Sequence, residues 1–303
     1  MNRSKAPIKQ DSIKGHIGDL IKLVQQENSL KSSASVSVTS VQNSLKKATS
    51  PRFEIVFAGA FSAGKSMLIN ALLEKELLYS SEGHATGTEC YIEYAEPGQD
   101  RIEVTFLSRV KITDEAHYLL DKLEELSADN WDDMKPDFED SKSLEKLQKK
   151  CQTIIDKEGD ARKSDIAKKA DALKLILEGF KNNAPSIRPD TNAVRSMDKL
   201  KLTFNDAADY ARRGSNSAVL KSIKYFFNHH LLQRGNVIVD LPGIDAPVEN
   251  DAQLTYKKIG DPEISAVICV LKIASEGEVT TEKTQLLEKI KKSRYSRSRF
   301  LRF

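Results

Sequence analysis

The stretch Gly59-Ala60-Phe61-Ser62-Ala63-Gly64-Lys65-Ser66 fits the pattern G-x-x-x-x-G-K-[ST] of a phosphate-binding loop. The preceding residues 53–58 are aromatic and β-branched, and they predict a short buried strand. The following residues 67–73 predict a helix that ends near Leu78. Because a phosphate loop needs a strand before it and a helix after it, this context favours the motif over a chance glycine-rich turn.

Each part of the loop suits a polyphosphate. Gly59 and Gly64 allow the backbone to curl so that successive N–H groups face the anion, and the helix N-terminus adds its dipole. Lys65 can reach the β- and γ-phosphates, and the Ser66 hydroxyl can bind Mg²⁺. The predicted nucleotide-binding residues of this stretch are Gly59, Ala60, Phe61, Ser62, Ala63, Gly64, Lys65, Ser66 and Met67.

A second motif, Asp240-Leu241-Pro242-Gly243, ends the dense apolar strand predicted at residues 236–240. The Asp240 carboxylate can hold Mg²⁺ through water, and the Gly243 N–H can meet a γ-phosphate. A backbone N–H that contacts the γ-phosphate is bound in the triphosphate state and not in the diphosphate state. Such a loop acts as a switch, because loss of the γ-phosphate releases it. Leu241 stands where a typical ATPase carries an acidic residue, which favours a GTPase.

A threonine from the loop between the two motifs should complete the magnesium site. The stretch His84-Ala85-Thr86-Gly87-Thr88 offers two candidates, of which Thr86 is the first choice and Thr88 the alternative. The predicted metal-binding residues are therefore Ser66, Thr86 and Asp240.

Length and composition limit the classes of protein. A chain of 303 residues suits one large α/β domain with an attachment, or two domains. The net charge of +3 is too small to favour a nucleic-acid partner. The three cysteines show no metal spacing and favour a reducing compartment, the cytoplasm. No apolar run approaches the length of a membrane span, so we expect membrane contact to be peripheral if it occurs.

The sequence pattern divides the chain into five predicted parts. Residues 1–50 form a helical N-terminal segment, and residues 51–112 form the first part of a nucleotide domain with the phosphate loop and switch threonines. Residues 113–192 form a helical insertion. Residues 193–292 form the second part of the nucleotide domain, and residues 293–303 an irregular basic tail.

Helical spacing of apolar residues is clearest at the N-terminus and in the insertion. Residues 11–30 predict one helix. The insertion should begin with a helix capped by Thr113, and the apolar residues of 144–154 and 166–180 predict two more. The acidic residues 129–140 predict a solvated linker between them.

Further strands are predicted away from the two motifs. Residues 90–94 and 102–106 alternate in polarity around Pro97-Gly98, which predicts a hairpin. Residues 219–227 predict an edge strand. The continuous apolarity of residues 264–271 predicts a parallel strand covered on both faces.

At its motifs the chain resembles the dynamin superfamily, and within it the bacterial dynamin-like proteins of the LeoA type. Residues 62–66 and 240–243 match the dynamin motifs, and the resemblance covers about residues 51–292. It implies an α/β P-loop GTPase with a dynamin-type G domain that binds GTP and Mg²⁺. It also implies hydrolysis coupled to pairing with a second G domain, in a homodimer or with a related dynamin-like protein, and membrane remodelling or vesicle-related work. By the same resemblance Ser62 would hold a cation near the phosphates, so that the implied catalytic residues are Ser62, Lys65 and Thr86.

The chain departs from the dynamin pattern in its catalytic side chains. Phe61 stands where dynamins carry a water-positioning Gln, and Ile244 stands where Ras-like proteins carry one. Neither side chain can form a hydrogen bond, so we expect the isolated chain to turn over slowly and to need a second G domain.

The chain also departs from the pattern at its end. After a helix predicted at residues 280–292, the guanine-reading N/T-K-x-D motif is missing, and an Arg-Ser-rich tail follows. This ending predicts a truncated, incomplete G domain. Two alternatives to a GTPase stay open: a non-catalytic interaction module that binds nucleotide poorly and pairs with full-length relatives, and a P-loop ATPase.

Overall fold

The structure is a computed structural model in which residues 52–60, 62–79, 86–127, 131, 134–158, 164–196, 203–244, 249–261 and 264–271 are described, together with residues 15, 16, 18, 19, 22 and 288. The chain forms two units, Met1–Phe53 and Glu54–Phe303. In the first unit the described residues are helical between residues 15 and 22, in agreement with the helix predicted there. The predicted basic tail, and the helix predicted at 280–292 apart from Glu288, lie outside the described residues.

The second unit is built on a mixed sheet with the strand order β4-β3-β5-β2-β6-β1-β7. The strands are β1 (Phe53–Gly59), β2 (Glu89–Tyr94), β3 (Arg101–Phe106), β4 (Ala193–Ser196), β5 (Leu220–Phe227), β6 (Asn236–Asp240) and β7 (Ile264–Val270). β1 pairs with β7 and β2 with β5 in parallel, whereas β2–β6, β3–β4 and β3–β5 are antiparallel. The α/β fold predicted from the sequence is confirmed, and the two strands that carry the motifs, β1 and β6, are neighbours.

The named helices of the second unit are α1 (Lys65–Leu72), α2 (Arg109–Leu126), α3 (Ser141–Glu158), α4 (Asp165–Asn183), α5 (Phe204–Ala211), α6 (Ser215–Ala218) and α7 (Glu249–Gly260), with 3-10 turns at Ala184–Ser186 and His230–Gly235. None of these helices is both long and apolar enough to cross a membrane. The two later helices predicted for the insertion are confirmed as α3 and α4. The finer division of the chain into two G-domain parts and an insertion stays a prediction.

Two helix ends differ from the prediction. α1 ends at Leu72 rather than near Leu78, because Glu74 adopts a left-handed conformation (φ 50°) that ends a helix. α2 begins at Arg109 rather than after Thr113, because the Ser108 side chain caps it by accepting a hydrogen bond from the Lys111 N–H at 3.4 Å.

The predicted hairpin and edge strand are both wrong, because β5 lies between β2 and β3. Ile223 of β5 is fully buried and stands opposite Cys90 on one side and Val104 on the other. The edge position was predicted from the apolar residues that alternate along this strand. Lys224 is accommodated inside the sheet because its ammonium pairs with Glu93 at 3.5 Å.

The strand β7 is parallel to β1, as predicted, but most of its described residues remain partly exposed rather than covered on both faces. Of its residues only Ile264 is buried, and the Ile268 side chain is 39% exposed.

The acidic stretch between α2 and α3 is not simply a solvated linker. Trp131 is buried, and its Nε1 donates a hydrogen bond to Ser127 Oγ at 2.8 Å. The Phe138 ring packs edge-on against Phe180 of α4 with ring centroids 4.7 Å apart. The aromatic residues of this stretch therefore join the main core, which the charge pattern concealed.

The segment between α5 and β5 packs closely on α4, and Gly179 makes this contact. A Cβ atom on Gly179 would lie 2.0 Å from the Ser215 carbonyl oxygen, a backbone atom that cannot rotate away. At Gly260 an added Cβ would meet no atom within 4 Å.

We therefore expect Gly179→Ala to lower the free energy of unfolding by about 1–3 kcal/mol through steric conflict. The matched variant Gly260→Ala should be neutral or slightly stabilising, because alanine has the higher helix propensity. Urea unfolding followed by far-UV circular dichroism measures both. Equal effects of the two substitutions would contradict this packing.

Candidate phosphate-binding site

The predicted phosphate loop leaves β1 at Gly59 and ends where α1 begins. Ser62 (φ 52°) and Gly64 (φ 90°) both adopt left-handed conformations, which turn successive backbone N–H groups to one side. Ser62 is exposed, and a non-glycine residue in this region costs about 1–2 kcal/mol. Such an observed outlier is typical of a loop shaped by function rather than by stability. Phe61 lies outside the described residues.

Gly59 has a steric role where the loop leaves the sheet. An added Cβ would lie 2.2 Å from the Val270 carbonyl oxygen of β7. Only glycine therefore allows β1 and β7 to pair closely at the point where the loop begins.

Lys65 is the first residue of α1, and its side chain is held at the start of the loop. The residue is buried, and its Nζ donates hydrogen bonds to the carbonyl oxygens of Gly59 at 3.3 Å and Ala60 at 3.0 Å. The ammonium group is thus held beside the first residues of the loop. Met67, the last predicted loop residue, is 64% exposed.

The three predicted magnesium ligands lie together and form what we call the Asp240 cluster: Ser66, Thr86 and Asp240. Ser66 Oγ and Thr86 Oγ1 both donate to Asp240 Oδ2, at 2.7 Å and 2.9 Å. The two hydroxyl oxygens are 3.3 Å apart. The structure therefore unites oxygen atoms from the phosphate loop, the intervening loop and the end of β6.

The structure distinguishes the two switch threonines. Thr86 belongs to the Asp240 cluster, whereas Thr88 is buried and its Oγ1 has no hydrogen-bond partner within the described part of the chain. The geometry thus favours Thr86, the first choice from the sequence.

The electrostatics of the cluster suit a cation. Burial raises the pKa of the Asp240 carboxyl, and the nearby Lys65 ammonium and the hydroxyls of Ser66 and Thr86 offset part of that rise. Asp240 Oδ1 is buried and accepts no hydrogen bond from the residues described. Two hydroxyls and a carboxylate with an unused buried oxygen form the hard oxygen donor set that Mg²⁺ prefers, so these residues fit the ion.

The D-x-x-G segment is fastened beside the phosphate loop. The Ile244 N–H donates to the Gly59 carbonyl oxygen at 3.3 Å, and Thr255 Oγ1 of α7 donates to the Pro242 carbonyl oxygen at 2.8 Å. Gly243, between these anchors, is buried next to the loop. The side chains of Leu241 and Ile244 are buried in apolar clusters and offer no polar group to a nucleotide.

The segment around Thr86 is fastened to the end of α5, which the sequence did not indicate. Thr86 forms an antiparallel bridge with Arg212, and the Gly87 N–H donates to the Ala211 carbonyl oxygen at 2.8 Å. A Cβ atom on Gly87 would lie 2.7 Å from Arg213 Cα, so only glycine fits there.

Asn70 is a further positioning residue that sequence reasoning missed. Its buried side chain accepts hydrogen bonds from the N–H groups of Leu77 and Leu78 and donates to the Leu78 carbonyl oxygen at 2.7 Å. It thereby orders the chain that leads towards the Thr86 loop. Its signal in the sequence was a polar residue on the apolar face of the helix that follows the phosphate loop.

Comparison with known proteins identifies one matching family. A model of the Dynamin family matches residues 55–300. Among curated proteins none gives a significant match.

Two similar solved structures come from work on an oligomerised bacterial dynamin pair described as a mechanism for long-range sensing and tethering of membranes. They share 17% and 14% sequence identity with this chain, with TM-scores of 0.46 and 0.42. Each match covers 95% of this chain, which spans only 38% and 37% of the length of those proteins.

The family match extends over most of the chain, including the phosphate loop and the D-x-x-G motif. The chain therefore belongs to the dynamin family.

Proposed function

We propose that this chain is the catalytic G domain of a dynamin-like GTPase and that it binds and hydrolyses GTP with Mg²⁺. The observation that carries the proposal is the Asp240 cluster. Ser66 and Thr86 stand 174 and 154 residues from Asp240 in the chain, yet both hydroxyls donate to one carboxylate oxygen. Family membership supports guanine nucleotide as the ligand.

Each residue has a separate task in this proposal. Lys65 and the backbone N–H groups of residues 60–66 hold the phosphates, and the Gly243 N–H contacts the γ-phosphate. Ser66 and Thr86 would bind the metal directly, while Asp240 would hold it through water. When bound, Mg²⁺ neutralises charge on the β- and γ-phosphate oxygens.

Hydrolysis then needs positioning and charge stabilisation rather than a covalent intermediate. The oxygen of a water molecule forms a bond to the γ-phosphorus, and the bond from phosphorus to the β–γ bridging oxygen breaks. The bridging oxygen keeps the electron pair, and the products are GDP and inorganic phosphate, which takes up the protons of the water. In this proposal Ser62, which is exposed, holds a cation near these oxygens, as the family resemblance implies.

Calorimetry tests the ligand. We expect GTP and GDP to bind in the presence of Mg²⁺ and ATP to bind more weakly, and we expect Lys65→Ala to lose most of the GTP affinity. Lys75→Ala is a matched control, because the Lys75 ammonium lies over the Phe227 ring, 4.2 Å from its centroid, rather than at the loop. No binding would favour the non-catalytic interaction module, and equal binding of ATP and GTP would favour the ATPase.

The substitution Asp240→Asn tests the role of Asp240 in metal binding independently of its role in folding. Asparagine keeps an acceptor for the two hydroxyls but removes a buried charge whose desolvation is unfavourable. We expect the variant to be as stable as the wild type, or more stable, in metal-free buffer, while Mg²⁺ no longer strengthens its GTP binding. Thermal unfolding with and without Mg²⁺GTP measures both effects. An equal Mg²⁺-dependent stabilisation of variant and wild type would contradict the metal role of Asp240.

The partner in this proposal is a second G domain, from another copy of this chain or from a related dynamin-like protein, in cytoplasmic work at a membrane surface. Two observations support a need for it: Ile244 is buried in the core, and Phe61 has no polar side chain. The isolated G domain thus has neither of the two water-positioning side chains found in related GTPases.

Turnover per molecule should therefore rise with protein concentration, because pairing completes the site. Steady-state phosphate release, measured over a dilution series at saturating GTP, tests this expectation. If the dilute monomer were as fast as the concentrated sample, pairing would not be required.

A further inference from the structure

Thr86 and Arg212 face each other across an isolated antiparallel bridge. The hydrogen bond from the Gly87 N–H to the Ala211 carbonyl oxygen belongs to the flanking residues, so Thr86 and Arg212 are a non-hydrogen-bonded pair. The Cα atoms of such pairs lie only about 4.5 Å apart, and directly opposed side chains project from the same face. Because the Thr86 hydroxyl donates to Asp240, the Arg212 side chain leaves the backbone on the side of the Asp240 cluster.

The charge of Arg212 is only weakly engaged within the described part of the chain. No carboxylate pairs with its guanidinium among those residues, and the side chain is half-buried. Its Cζ lies 5.6 Å from the ring centroid of Tyr79, the residue at the root of the Thr86 loop. A cation–π contact at this distance is weak enough to give way to a phosphate.

We propose that Arg212 is a catalytic arginine supplied in cis: its guanidinium contacts the γ-phosphate and the β–γ bridging oxygen as negative charge develops there. The proposal rests on the GTPase function proposed above. Arginine suits the task because its planar group offers several donors in a fixed fork and stays protonated at all relevant pH values. Phe61 and Ile244 have no polar side chain with which to assist hydrolysis, and the charge of Arg212 would assist it instead.

The bridge also explains how Arg212 would be brought into position. Thr86 reaches the metal only while its loop is held in place, and Arg212 is fastened to that loop by its backbone. Thr86 already lies at the Asp240 cluster in this structure, so the bridge holds the Arg212 backbone beside that cluster.

The test compares wild type, Arg212→Ala and Arg212→Lys with the control Arg188→Ala, which removes the same charge from an exposed position. Single-turnover GTP hydrolysis gives the rate of the chemical step. Fluorescent GTP and GDP binding gives ground-state affinity, and GDP binding with aluminium fluoride reports the transition state without turnover. If Arg212→Ala fails to fold, Arg212→Gln, which keeps a planar group for the Tyr79 contact, replaces it.

We expect Arg212→Ala to hydrolyse GTP about 100-fold more slowly or worse, with GTP affinity unchanged and the gain in GDP affinity from aluminium fluoride lost. Arg212→Lys should recover part of the rate, and Arg188→Ala should match the wild type. If Arg212→Ala turned over GTP as fast as Arg188→Ala, the role of Arg212 would be overturned and the proposed GTPase function would stand. A loss of GTP affinity as large as the loss of rate would overturn it too, because Arg212 would then be a ground-state ligand. A wild-type chain that neither binds nor hydrolyses GTP would refute the proposed function itself and this proposal with it.

Discussion

The two hydrogen bonds that Asp240 Oδ2 accepts are the constraint on which the site depends. A buried carboxylate is costly unless cations or donors surround it, and here Lys65, Ser66 and Thr86 supply them. These groups meet only because β6 lies beside β1 in the sheet. The order of the strands, which the middle strands β2 and β5 help to define, thus determines where these side chains meet.

The loops at the site are held by hydrogen bonds and backbone pairing to neighbouring helices. The D-x-x-G segment is held by α7 through Thr255, and the Thr86 segment is held by the end of α5 through Gly87 and Arg212. The residues after α5 in turn pack against α4 at Gly179. A change at the γ-phosphate that moved Thr86 would therefore act directly on a segment in contact with the long helices. In the proposed function, this contiguity would couple the nucleotide state to the rest of the unit.

Sequence reasoning predicted the parts whose signals are local. The phosphate loop, its flanking strand and helix, the D-x-x-G strand and the choice of Thr86 all depended on short motifs with defined chemistry. The hairpin and the edge strand were wrong because strand neighbours depend on long-range pairing, which the alternation of apolar residues within one strand does not reveal. Likewise, the bridge between Thr86 and Arg212 joins residues by tertiary structure and leaves no periodic pattern in the sequence.

The most direct test is a crystal structure of this chain with Mg²⁺ and a non-hydrolysable GTP analogue. The Asp240 cluster predicts one ion bound directly by Ser66 Oγ and Thr86 Oγ1, at about 2.0–2.1 Å, with Asp240 joined to it through water. The triphosphate should lie between Lys65 and Gly243. An ion that bound away from Ser66 and Asp240, or a nucleotide seated elsewhere on the fold, would contradict the shared metal site.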